Sequence, residues 1–330
     1  MELQLHDTVV MKKPHPCGSC EFEVLRLGVD YKLKCLGCGR EFMLPRIKAQ
    51  KSIKKIKEKE KLLIPVEENE DIKDIEPIGF LDSGIGGITV LNKALKLMPG
   101  ENYIFYSDSQ NNPYGDKSDA EIKSLCRRTV DYFVNERKCK AVVLACNTAS
   151  AKAAKYLRAQ FPSVPIVAIE PAYKMVHDSA PGGGTLIMAT KGTVKSEKFR
   201  RLYYSYYDHC TYLHSCNGLA DLIEGGNREE IREYLSKNLA PYKGKVQNVV
   251  LGCTHYPLIK KEISEVLGDV RFFDGADGVS RRLYDLLSRA GMLGCGNGNV
   301  EFIDSSCSAA KRAEKEKRFY ELLGNSNGEI

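Results

Sequence analysis

Two short stretches of this 330-residue chain are nearly the same. Ala141-Val-Val-Leu-Ala-Cys146-Asn-Thr and Asn248-Val-Val-Leu-Gly-Cys253-Thr-His each run a buried-strand pattern into a cysteine and two polar residues. The likeness extends outward. Sixty-four residues before each cysteine lie Asp82, in Gly79-Phe-Leu-Asp-Ser-Gly, and Ala189, in Leu186-Ile-Met-Ala-Thr-Lys-Gly-Thr. Downstream stand Glu170, in Ile166-Val-Ala-Ile-Glu-Pro, and Asp274, in Arg271-Phe-Phe-Asp-Gly. Apolar runs at such a period, separated by amphipathic stretches, specify a duplicated α/β unit with mostly parallel strands. The expected fold is two pseudo-symmetric subdomains, about 78–175 and 176–285, enclosing one cleft, with 286–330 completing the domain. Ligands of open α/β sheets sit at the carboxyl ends of the strands, which is where both cysteines fall.

The pair limits the chemistry. A free thiol ionises near pH 8.5 and needs a base, a cation or a helix N-terminus to react near neutrality. Helical patterns at Ala149–Gln160 and Leu258–Leu267 place both cysteines at strand-to-helix turns, where free N–H groups favour negative charge. Inverting a stereocentre at an amino-acid α-carbon needs a base on one face and an acid on the other, exchanging roles in reverse. Two like groups across one substrate meet that need. Asn147, Thr148, Thr254 and Ser83 can donate to the substrate carboxylate, and His255 is a proton partner beside Cys253. Other readings fit less well. Asp82-Ser-Gly-Ile-Gly-Gly lacks the third glycine of a dinucleotide fingerprint and the Gly-Lys-Ser/Thr of a P-loop, so its glycines are read as allowing close approach to a small ligand. A Cys–His hydrolase leaves one cysteine unexplained.

Asp82-Ser-Gly-Ile-Gly-Gly, Asn112-Pro-Tyr-Gly115, Ala145-Cys-Asn-Thr-Ala, Ile169-Glu-Pro, Ala189-Thr-Lys-Gly-Thr and Gly252-Cys-Thr-His-Tyr-Pro follow one another in order. In these motifs residues 78–290 resemble the glutamate racemases of the aspartate/glutamate racemase superfamily. The resemblance implies a cofactor-independent enzyme with Cys146 and Cys253 as acid/base thiols. It implies that Asp82, Glu170 and His255 assist proton transfer, and that Asp82, Ser83, Tyr114, Gly115, Asn147, Thr148, Thr254 and His255 bind substrate. D-glutamate for peptidoglycan in a bacterial host follows from it. The stretch Tyr106-Ser-Asp-Ser-Gln-Asn-Asn lacks the arginine of the family's usual Gly-Asp-Thr-Ala-Arg, so aspartate or another acidic amino acid is the alternative substrate.

The first 77 residues are different. Cys17-Gly-Ser-Cys20 and Cys35-Leu-Gly-Cys38 form the paired Cys-x2-Cys pattern of a four-thiolate zinc ribbon. A domain of residues 1–45, β-rich with short runs at Asp7–Met11, Phe22–Leu27 and Tyr31–Lys34, needs such a staple. It resembles a small bacterial domain of unknown function in which the second cysteine is optional and His15 can substitute. Residues 46–77 read as an exposed basic helix and an acidic linker. All of the net charge of +6 lies in residues 1–61, which hold 14 Lys and Arg against 8 Asp and Glu. Nucleic acid or the ribosome is therefore a candidate partner, and a nucleic-acid-binding protein with an inactive racemase-like scaffold is the second reading. The other six cysteines show no pattern. A cytoplasmic protein without signal peptide or membrane span is expected, and a homodimer is a candidate assembly.

Overall fold

A computed structural model describes residues 7–26, 30–56, 76–180 and 182–324. They fall into two compact units that part at residues 71 and 72. The first unit is a five-stranded antiparallel sheet. Its strands are β1 (Thr8–Met11), β2 (Glu21–Arg26), β3 (Asp30–Cys35), β4 (Glu41–Pro45) and, after helix α1 (Arg46–Ser52), β5 (Ile53–Ile56). The strand order is β4-β3-β2-β1-β5. Alternate residues, among them Val9, Phe22, Val24 and Leu33, make its small core, as the period of two demands.

The expected basic helix is therefore shorter than the sequence suggested. It ends at Ser52, and Ile53, only 3% exposed, opens a strand that pairs with β1 across a register shift. The three-residue spacing of Ile53 and Ile56 fits either period there. Sheet pairing decides, and the unit extends past residue 45. Residues 57–61, and the acidic linker up to residue 75, lie outside the described residues.

The second unit holds two parallel sheets. Its first half contains β6 (Ile78–Asp82), α2 (Ile88–Leu97), β7 (Tyr103–Ser107), α3 (Asp119–Asp131), β8 (Ala141–Leu144), α4 (Asn147–Gln160) and β9 (Ile166–Ala168). Its second half follows with α5 (Tyr173–Ser179), β10 (Thr185–Ala189), α6 (Lys191–Lys195), α7 (Glu197–Tyr206), β11 (Thr211–Ser215), α8 (Leu219–Gly225), α9 (Arg228–Leu239), β12 (Asn248–Gly252), α10 (Lys260–Leu267) and β13 (Arg271–Phe273). Every residue of β6, β8, β10 and β12 is buried, as expected of parallel strands covered on both faces. With β14 (Val300–Asp304) at one edge, the two sheets have orders β14-β7-β6-β8-β9 and β11-β10-β12-β13.

The chain closes by returning to its first half. Helix α11 (Ala276–Arg289) packs on α2. Strand β14 (Val300–Asp304) pairs with β7 at the sheet edge, and α12 (Ala309–Gly324) seats the fully buried Phe319 between Phe105 and Phe302, with ring centroids 5.0 and 4.4 Å away. Among the described residues no helix is long and apolar enough to cross a membrane.

The C-terminal return belongs to the core of the first half. Phe319→Ala should lower unfolding free energy by about 3–5 kcal/mol, the range for truncating a buried phenylalanine. Urea denaturation measures it; a loss below about 1 kcal/mol would show α12 to be peripheral.

Candidate active site

In each parallel sheet the order reverses between two central strands, β6 and β8 in one and β10 and β12 in the other. Loops leaving such a pair diverge and open a crevice. Cys146 follows β8 as the N-cap residue of α4. Cys253 follows β12. Both thiols are buried, and both line one narrow cavity of about 60 Å³.

Nine of the residues expected there from the sequence line that cavity. Ser83 meets Cys146 through a 3.6 Å S–H···O contact. Tyr114 is fully buried and donates to Asp108 at 2.6 Å, with Gly115 beside it. Asn147 points a buried Oδ1 that has no hydrogen-bond partner among the described residues, an acceptor placed for an N–H of a ligand. Thr148 shares a 2.9 Å hydrogen bond with Thr190 across the cleft. Thr254 donates to Asp82 Oδ1 at 3.3 Å. Asp82 stands behind the lining, accepting from the Gly84 and Gly87 N–H groups at 3.3 and 3.0 Å.

His255 Nδ1 lies 3.7 Å from Cys253 Sγ. Its Nε2 is 2.6 Å from Glu224 Oε2. Glu224, on α8, is the carboxylate that pairs with His255 and that sequence patterning missed. Glu170, expected in that role, lies elsewhere. It follows the edge strand β9, its side chain is 53% exposed, and it pairs with Lys198 at 2.6 Å. Thr190, Asn217 and Asp221 also line the cavity without having been singled out.

The glycine loop after β6 owes its composition to this pair. A Cβ on Gly86 would stand 2.5 Å from His255 Nδ1, and one on Gly84 would stand 2.7 Å from Glu224 Oε2. The close approach expected of a ligand is taken up by groups of the second half.

The two thiols differ in electrostatics. Burial, and then the charge of Asp82, pushes the Cys146 thiol up to about 12. Burial likewise raises the Asp82 carboxyl. At His255 burial opposes charge, but hydrogen bonds to Cys253 and Glu224 win and hold the imidazolium well above its ordinary range. Burial similarly disfavours the Glu224 carboxylate, and His255 and Lys315 outweigh it, holding the group below the usual carboxylate range.

Comparisons with known proteins agree with this geometry. Residues 88–280 match the family described as Asp/Glu/Hydantoin racemase. A glutamate racemase of Clostridium perfringens is 39% identical over 260 residues, spanning 77% of this chain and 99% of that protein. The chain belongs to the glutamate racemase family. Among solved structures, the Francisella tularensis glutamate racemase in complex with D-glutamate superimposes with a TM-score of 0.63 at 27% identity, covering 75% of this chain and 95% of that one. The Escherichia coli glutamate racemase, in complex with L-glutamate and the activator UDP-MurNAc-ala, gives 0.65 at 28% identity over 74% and 95% of the two chains. The racemase fold accounts for the second unit. Residues 3–57 match a family described as a bacterial protein of unknown function, DUF951.

In that first unit the side chains that converge differ from the expected four thiols. His15, Cys17, Cys35 and Cys38 bring their ligand atoms within 4.8 Å of one another. His15 Nδ1 lies 3.2 Å from Cys17 Sγ and 3.5 Å from Cys38 Sγ, and Cys17 and Cys35 are 3.5 Å apart. Cys20 is outside this group. Its carbonyl accepts from the Met11 N–H, and the His15 N–H bonds the Ser19 carbonyl. The loop is thereby folded so that His15, and not Cys20, stands beside Cys17 and Cys38.

Glu224→Ala in the racemase should leave a buried imidazolium unpaired and cost about 3 kcal/mol. A lowered carboxylate contributes stability above its unfolded pKa of about 4.3, and a raised histidine contributes it below about 6.5. The wild-type advantage should therefore be full between those values. It should shrink as pH rises through the elevated His255 pKa, and again as pH falls through the depressed Glu224 pKa. Urea titrations from pH 4 to 9 test this; a pH-independent difference would contradict the ion pair.

Proposed function

We propose that this chain interconverts L-glutamate and D-glutamate by moving protons between two thiols and one bound substrate. The observation that carries the reading is the opening of two buried cysteines, from equivalent turns of the two parallel sheets, onto one cavity. One thiolate takes the α-proton from one face while the opposite thiol returns a proton to the other. In reverse the roles exchange. Ser83, Asn147, Thr148 and Thr254 hold substrate polar groups and stabilise the charge that develops on the carboxylate. Tyr114 and Gly115 border the same cavity and Asp82 braces Thr254 from behind. His255, charged and held by Glu224, exchanges a proton with Cys253. The groups needed are all protein side chains, so the reaction calls for no cofactor. The product would supply peptidoglycan synthesis in the cytoplasm.

The purified protein, without pyridoxal phosphate, should racemise glutamate, and in D2O the product should carry α-deuterium. Aspartate measured in parallel decides the alternative substrate. Cys146→Ala and Cys253→Ala should each lower turnover by at least about 10³-fold, the scale of losing an essential acid or base. Full turnover in either variant would sink the two-thiol reading.

A second proposal concerns the first unit: His15, Cys17, Cys35 and Cys38 bind a structural zinc ion. A tetrahedral site with Zn–S near 2.3 Å and Zn–N near 2.0 Å requires S···S of about 3.8 Å and N···S of about 3.5 Å. The distances of 3.2–3.5 Å found here lie close to that, with ligand side chains already converged. The basic excess around them suits a polyanionic partner such as nucleic acid. The full chain should carry about one zinc per molecule by elemental analysis. Cys20→Ser should keep the metal and Cys38→Ser should lose it. Zinc loss in Cys20→Ser with retention in His15→Ala would restore the four-thiolate set instead.

A further inference from the structure

Helix α12 is anchored in the first half of the racemase domain by Phe319, yet two of its cations reach the second half. Lys315 Nζ lies 2.8 Å from Glu224 Oε1 and 2.6 Å from Ser109 Oγ. Arg318 donates to the carbonyls of Ile223, at 2.7 Å, and of Glu224. Those are the last carbonyls of α8, whose C-terminal turn ends at Gly226 with φ of +78°. The Ile223 carbonyl already takes the Gly226 N–H at 3.1 Å, so the guanidinium adds a second bond there, and its charge favours the helix dipole. Both contacts are largely withdrawn from solvent, Lys315 being 23% and Glu224 11% exposed.

The other oxygen of Glu224 is committed too. Oε2 takes the His255 Nε2 bond at 2.6 Å and accepts from the Ile85 N–H at 3.2 Å. A continuous chain therefore runs Cys253–His255–Glu224–Lys315, ending on the helix that closes the fold. We infer that Lys315 is a positioning residue for proton transfer at Cys253, fixing Glu224 and through it His255, with α12 fastening the two halves of the cleft together. The inference rests on the reading of Cys253 as one of the two acid/base thiols.

The charge inventory supports it. Facing Glu224 are His255 and Cys253 from the turn after β12, Asp82 from the end of β6, Asp221 from the preceding turn of α8, and Lys315 and Arg318 from α12. Three carboxylates crowd this space, two of them almost fully buried. His255 is one cation among them, and it must exchange protons. Lys315 is the cation that need not. Without it Glu224 would hold His255 more tightly and lose one of its two anchors. Cys146, with Ser83 and Asp82 among its neighbours, has no such chain among the described residues.

The test is Lys315→Met, which keeps the aliphatic stem and removes the charge, beside Lys315→Arg, both in the full chain. Lys315→Met should lower kcat/KM for glutamate about tenfold. Removing a neighbouring cation raises the pKa of every proton carrier nearby, so the acid limb of the pH–rate profile should move up by about one unit. The α-deuterium isotope effect should rise for the one enantiomer whose proton goes to Cys253 and stay unchanged for the other. Lys315→Arg should restore most of the activity and the original limb. A Lys315→Met enzyme within twofold of wild type, or one that loses activity and melting temperature together with the pH limb and both isotope effects unmoved, overturns the inference. A wild-type chain that racemises neither glutamate nor aspartate would instead remove the two-thiol reading itself, and the inference with it.

Discussion

The 2.6 Å contact between His255 and Glu224 is the interaction around which the cleft is arranged. Burial disfavours a charge on either residue alone, so each is ionised because the other is. The pair then needs a surface without side chains to rest against, and Gly84 and Gly86 provide it. It needs an outside cation to balance the carboxylates around it, and α12 brings Lys315. The glycine loop, the second-half helix α8 and the C-terminal return are distant in sequence. They are joined because this pair has to be buried and satisfied at once.

The sequence made the fold and half of the site legible for a physical reason. A parallel strand buried on both faces is a short continuous apolar run, and a cysteine followed by two polar residues at its end is a local signal. Two copies of that signal located Cys146, Cys253 and their immediate neighbours. Glu224 gave no such signal, because its place depends on where α8 packs. Glu170 looked equivalent because it also ends a strand, but β9 is the sheet edge, far from the crevice between β6 and β8. Position within the sheet order separates the two carboxylates, and that order is not written locally.

The first unit teaches the same distinction. Spacing alone favours Cys17 and Cys20 as a pair, since Cys-x2-Cys is the usual thiolate turn. The hairpin bonds of the loop instead bring His15 to Cys17 and Cys38. Likewise Ile53 and Ile56 fit a helical face until β1 offers an unpaired edge, and then the strand prevails. In both places backbone hydrogen bonding chose between arrangements that the side-chain pattern left equal.

The two thiols are symmetric in sequence and unlike in surroundings, and this asymmetry is compatible with racemisation. Free enantiomers have equal free energies in water, so kcat/KM must be equal in the two directions whatever the protein does. Unequal surroundings can therefore change kcat and KM separately, and which proton transfer limits each direction, but not the equality of their ratios. Burial and Asp82 hold Cys146 as a thiol, whereas Cys253 lies 3.7 Å from the His255 imidazole. The pseudo-symmetric fold supplies two faces for one α-carbon. The charges gathered from α8 and α12 stand on the Cys253 side of it alone among the described residues.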